Sequence, residues 1–437
     1  MKLSFKTGYI LYDLLLLMPF VDMITGYAFN LNMNGIITYI GQGYRIFIFL
    51  YMVCTLYCHK FSKKQLWLII FTIFLFLLNL IQYIRFNGSV IENFSYTLKL
   101  LLPVYLIYSL SITSRYDKDI INRLLNVYSW IYPLSLVIPK ILGIGFYISN
   151  YAFESGYKGF YYANNELNVI LMVLFVYNFQ KLYDNIIVRE KNPKDIHGIN
   201  GIDFTNLLKL FLIIFALLFI GSKTSILSLF IVCLAYLFKY EGLKYKLKFI
   251  LLLICLGLPG IPFIGFILNS QINNIISRII YSYNRYVEIE GFLSFLLSRR
   301  NLRIKPGFDF WYSDGYKGVL NFILGIGKST KCPNDGISAN QFALIELDFF
   351  DCLFWFGIVT VCIIIVFYLS FFIKSLKVKD LFMEKVMFLF VFSFSMIAGH
   401  VMMSANSGTI FAIITADLFI KSCNKRAENI KENAESN

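Results

Sequence analysis

The sequence predicts an all-α polytopic membrane protein, with about twelve transmembrane helices and one long loop outside the cytoplasm. Three observations carry this expectation. Of the 437 residues, 58% are hydrophobic and only 15% are charged, whereas a soluble chain carries roughly a quarter charged residues. Apolar runs of about twenty residues, the length that crosses hydrocarbon as a helix, recur along the chain. Lys and Arg collect in alternate loops between those runs. The formal charge of +14 therefore reads as orientation in a membrane, and no nucleic-acid-binding pattern accompanies it.

Taken in order, the expected spans are residues 7–25, 38–58, 65–85, 92–112, 122–142, 166–184, 205–221, 222–239, 248–268, 344–373, 384–403 and 407–422. The pair around Gly221 has the weakest boundary and also reads as one broken helix. With the N-terminus inside, the inner loops hold sixteen cations: Lys60, Lys63, Lys64, Arg115, Lys118, Arg189, Lys191, Lys194, Lys239, Lys244, Lys246, Lys248, Lys374, Lys377, Lys379 and Lys385. The short outer loops hold only Lys158. Both termini are thus expected in the cytoplasm. The organisation follows: nine spans in residues 1–268, a long outer loop at 269–343, three spans in 344–422, and a polar tail at 423–437. A loop of that length crosses regardless of its charge, so its cations need another explanation. The first apolar run lacks a small-residue cleavage site and reads as a retained helix.

The eight cysteines form no CxxC pair and no cluster with His, so neither a metal nor another cofactor is expected. Phosphate-binding glycine loops of the Walker A or GxGxxG kind are absent, as is an internal repeat.

Five groups of residues carry candidate chemistry. The long loop has nine cations against five acids, among them Arg278, Arg285, Arg299, Arg300 and Arg303. Forked guanidinium donors suit a diphosphate. Trp311 and Tyr312 follow closely, and aromatic faces stack on sugar rings. A loop half-buried among lipid headgroups would collect the same residue types. Next, Glu346, Asp348 and Asp351 mark the start of a helix. They suit capping, neutralisation of loop arginines, or general-base work on a sugar hydroxyl. The turn GSKTS, residues 221–225, places Lys223 where a helix opens, as an anion site or a tight turn. Lys158, Asn165 and Glu166 lie at an outer helix end, suited to sugar recognition or to capping. His400 sits near the outer end of a span. Ionisable groups there are functional candidates, as are Asp13, Asp22, Arg45, Arg85 and Lys99 in or near other spans.

GSKTS, the long loop with LNFILGIG at 320–327, ELDFFDCLFWFG and GHVMMSANSG stand in an order that resembles the O-antigen and capsular polysaccharide polymerases, the Wzy family. These are relatives of the O-antigen ligases. The resemblance implies a glycosyltransferase-C-like membrane fold in the bacterial inner membrane, with the long loop in the periplasm. It implies a metal-independent glycosyltransferase that joins oligosaccharide repeat units carried on undecaprenyl diphosphate. Arg303, Glu346, Asp348 and His400 become its catalytic candidates. Lys223, Arg278, Arg285, Arg299, Arg300, Trp311, Tyr312, Lys158, Asn165 and Glu166 become its substrate-binding candidates. Expected partners are the lipid-linked oligosaccharide and membrane lipids, with a chain-length regulator and a flippase as further candidates. Ligases tend to carry a His at the long-loop exit, and this chain has Glu346 and Asp348 there, which favours polymerase. A ligase acting on lipid A–core and a polysaccharide flippase are the alternatives.

Overall fold

A computed structural model of the chain describes residues 2–33, 35–58, 62–148, 156–191, 202–222, 290–312, 317–328, 345–378, 381–399 and 401–435, with scattered positions between 225 and 287. The architecture is that of an α-helical membrane protein. Its helices are α1 (Lys2–Asn30), α2 (Ile36–Tyr57), α3 (Lys63–Phe86), α4 (Val90–Thr113), α5 (Ile120–Ile141), α6 (Asn164–Lys191) and α7 (Ile202–Ile220). After the short helices α8 (Phe292–Leu296), α9 (Ile304–Tyr312) and α10 (Lys317–Leu324) come α11 (Asp348–Leu376), α12 (Phe382–Ala398) and α13 (Ala405–Glu435). Among the described residues, five helices are long and apolar enough to cross a membrane: Gly8–Asn30 within α1, then α2, α3, α4 and α11. The expected span 248–268 and most of 222–239 lie outside the described residues.

The chain forms two compact units. The first comprises Met1–Leu14, Gln42–Ile121 and Tyr283–Asn437; the second comprises Leu15–Gly41 and Asn122–Ser282. In the first unit, Ser62 opens α3 with a reciprocal capping box to Gln65, which satisfies two otherwise orphaned donors. Helix α4 packs along α13. Their contact is close because Gly408 stands there: a Cβ at that position would lie 3.2 Å from Pro103 Cγ. Small residues permit such approach between membrane helices.

Helix α11 is not continuous. Gly357 sits at φ 77°, ψ 169° and interrupts it. The break releases carbonyls that the chain satisfies from outside the helix. Ile326 N–H donates to Phe354 O at 2.8 Å, and Gly327 N–H to Trp355 O at 3.1 Å. Backbone meets backbone here. A Cβ on Gly357 would collide with the Ile323 carbonyl, and one on Gly325 would lie 2.5 Å from that of Trp355. The expected single span 344–373 is thus two helical pieces joined at a sealed break. The expected span 384–403 is also shortened. Helix α12 stops at Ala398, and a turn over 401–404 precedes α13.

In the second unit, α6 packs on α7. A two-stranded antiparallel ribbon, Phe146–Tyr147 with Tyr157–Gly159, adds the β structure that the all-α expectation omitted. Helix α7 ends at Gly221, whose φ of 58° closes the last turn.

Candidate functional site

The stretch 299–312 packs on the apolar helices. Positions 300, 307 and 311 are buried with 304 half-buried, while 302, 303, 305 and 309 are exposed. That spacing of four, three and four is one helical face. Trp311 is fully buried, with its ring 4.3 Å from Phe354 and 5.5 Å from Phe308. It is therefore an anchor of α9 on the first half of α11, and the ring named as a sugar-stacking candidate is enclosed here. A Cβ on Gly307 would lie 2.7 Å from the Phe354 ring, so the α9 backbone rests on that ring directly.

Packing this face delivers two arginines to one carboxylate. Arg300 Nε lies 3.1 Å from Glu346 Oε2, and Arg303 Nη1 lies 3.3 Å from Glu346 Oε1. The Arg300 side chain is 11% exposed, that of Arg303 is 45%, and that of Glu346 is 30%. Arg299 turns elsewhere: its Nε donates to Glu290 at 2.9 Å.

Glu346 stands at φ 68°, a conformation that costs a non-glycine residue roughly 1–2 kcal/mol. Three groups impose it. Asp351 accepts from two successive backbone N–H groups, Ile345 at 2.7 Å and Glu346 at 3.0 Å. Gly399, at φ 65°, presents no Cβ to the Glu346 carbonyl, which a side chain there would strike. Asp348 accepts at its Oδ2 from Ser395 Oγ at 2.6 Å and from the N–H groups of Val401 and Met402, each at 2.7 Å. The turn that opens α11 and the turn that follows Gly399 are thus tied into one piece.

The three acids divide their work accordingly. Asp348 and Asp351, 1% and 3% exposed, hold main chain. Glu346 faces the arginines. Asp348, a catalytic candidate by sequence, is enclosed and committed to three donors.

A second polar group, of which the sequence reading singled out only Arg85, adjoins this one. Lys328 Nζ lies 5.3 Å from the Trp355 ring centre and 5.7 Å from that of Tyr96. Burial lowers its pKa, while Glu92 and Asp351 pull the other way. Gln82 donates to Leu324 O and to Trp355 O, and Arg85 donates to Asn321 Oδ1 at 2.8 Å. The signal in the sequence was the position of Lys328 directly after LGIG, the segment that seals α11.

Lys158, Asn165 and Glu166 belong to the second unit. Burial lowers the Lys158 pKa; Asn165 and Glu166 are half-buried. In the same unit, Asn168 donates to Ser222 Oγ at 2.8 Å and accepts from Ser225 Oγ at 2.5 Å, and Ser225 N–H reaches Ser222 Oγ at 3.0 Å. The small residues of GSKTS thereby close a turn onto α6. Lys223, Arg278, Arg285 and His400 lie outside the described residues, as does the side chain of Tyr312. Among the described residues, no group of three or more His, Cys, Asp or Glu gathers to hold a metal. No family model, curated protein or solved structure matches the chain.

Proposed function

We propose that the chain is a polysaccharide polymerase of the periplasmic face of the bacterial inner membrane. It would join oligosaccharide repeat units carried on undecaprenyl diphosphate into O-antigen or capsular polymer. The observation that carries this reading is the convergence of Arg300 and Arg303 on Glu346, beside a turn locked by Asp348 and Asp351. The order of the sequence motifs supplies the substrate class.

In this reading the arginines receive the donor diphosphate. Forked donors suit its oxygens, and fixed cations stabilise the charge that grows as the diphosphate leaves. The acceptor sugar hydroxyl attacks the donor's anomeric carbon. The carbon–oxygen bond to the diphosphate breaks, and undecaprenyl diphosphate departs with the bonding electrons. The hydroxyl proton passes to Glu346, the one of the three acids with an exposed carboxylate. Donor binding would draw the arginines off Glu346, so the base is released when the leaving group is seated. Arg303 and Glu346 keep direct roles here; Asp348 becomes a positioning residue.

The test is the purified protein with a single lipid-linked repeat unit. A ladder of longer glycans is expected. Transbilayer movement without a ladder would make it a flippase, and transfer to lipid A–core without a ladder a ligase. Arg300→Ala should slow polymerisation by roughly 30- to 1000-fold, the loss of about 2–4 kcal/mol of transition-state stabilisation. Arg300→Lys should recover only part of it. Full ladders from Arg300→Ala, Arg303→Ala and Glu346→Gln would remove this cluster from the chemistry.

A further inference from the structure

A cavity of about 590 Å³ opens at the other end of the first unit, between the α2 C-terminus, the α3 N-terminus, the α4 C-terminus and α13. Lys64, Arg115 and Lys118 line it, and among the described residues no carboxylate does. Lys64 Nζ lies 5.0 Å from the ring centre of Phe419, which forms part of an apolar wall. Hydroxyls complete the lining, among them Tyr108 and Ser111.

Depth identifies what would enter. Gln65 lines this cavity, and Gln82 on the same helix holds the sealed break near the arginine site. Seventeen residues of helix separate them by about 26 Å, close to the thickness of bilayer hydrocarbon. A cavity at that remove from the outer site lies at the opposite headgroup level. Basic pockets between membrane helices at that level take anionic headgroups. Orientation alone asks for cations near helix ends but does not ask for an acid-free cavity with an apolar wall.

We propose that this cavity binds a phosphate group, supplied by the headgroup of an anionic phospholipid of the inner leaflet. The three cations meet the phosphate, the hydroxyls donate to its oxygens, and the apolar wall takes the upper acyl chain. The inference requires that the helices span a bilayer with this end at the cytoplasmic face, and it is independent of the polymerase reading, because lipid binding is measured without substrate.

The experiment is native mass spectrometry of the full chain released from nanodiscs of phosphatidylglycerol or of phosphatidylcholine. Selective retention of phosphatidylglycerol is expected. Lys64→Gln, Arg115→Gln and Lys118→Gln should each weaken it about five-fold, and together about 100-fold. Lys63→Gln with Lys377→Gln, cations on the same side outside the cavity, should leave it unchanged. A melting shift with inorganic phosphate, lost in the triple variant and unmatched by phosphatidylglycerol, would keep the phosphate site and assign it a soluble ligand. Equal retention of both lipids, an unaltered triple variant, or an equal loss in the control pair would each overturn the proposal. Should the triple variant fail to fold, the single variants decide.

Discussion

Two groups of carboxylates stand at opposite ends of the first unit and are satisfied by different means. At the start of α11, Asp348 and Asp351 take their hydrogen bonds chiefly from backbone N–H groups. Beyond its other end, Glu384 of α12 and Asp417 of α13 share Lys421, at 2.9 and 2.7 Å. A lysine bridge fastens two finished helices. A carboxylate bonded to main chain dictates the path of the chain itself. The first kind therefore builds a site and the second joins elements that would form without it.

The widest test of this contrast is topological. A reporter active only in the cytoplasm should be active at the C-terminus, and one fused near Asp335 should behave as periplasmic. If the Asp335 fusion reads as cytoplasmic, the two groups do not face opposite compartments and the site proposals fall with that map.

Asp348→Ala should have the largest energetic effect. It orphans Ser395 and two N–H groups in an enclosed place, at a cost of about 3–5 kcal/mol, since each buried donor left without an acceptor costs about 1–3 kcal/mol. Little folded protein should survive detergent extraction, measured by size exclusion and melting. Asp348→Asn, which keeps an acceptor, should recover much of the yield. Equal damage from both would mean that charge, rather than hydrogen bonding, holds the turn.

Gly399→Ala comes next. It puts a Cβ against the Glu346 carbonyl at a φ that only glycine takes readily. A loss of about 1–3 kcal/mol is expected, with polymer length falling more than melting temperature, since Glu346 is what moves. If melting falls while polymer length holds, Glu346 is not in the site.

Lys421→Gln should do least. Its side chain is 37% exposed, whereas Glu384 and Asp417 are 18% and 14% exposed; Gln keeps a donor between the two acids, so the change should be about 1 kcal/mol. A collapse as severe as that of Asp348→Ala would erase the distinction between the two groups.

The helices were legible because a run of apolar residues has few other uses. Their interruptions were not. Gly357 sits inside WFGIVT, and nothing nearby distinguishes it from a glycine tolerated in a helix. Its partner, the Ile323 carbonyl, is 34 positions earlier. Glu346 and Asp348 read as equivalent catalytic candidates. Their separation depends on Val401 and Met402, more than fifty residues downstream. The packing of Trp311 was not legible, because an aromatic beside arginines fits a sugar platform and an anchor equally well. The burial of 300, 307 and 311 along one face shows in the structure alone. The arginine cluster was visible as composition, but which arginine met which acid was not.

The break at Gly357 also sets depth. From residue 358 to Leu376, α11 runs nineteen residues, about 29 Å, which is nearly the whole hydrocarbon thickness. The piece before it, carrying Asp348 and Asp351, then lies among the headgroups instead of the acyl chains. Seen against the bilayer, Gly357 is a waterline. It raises the acid-bearing end of the helix to the headgroup level, while the rest of the helix stays with the acyl chains.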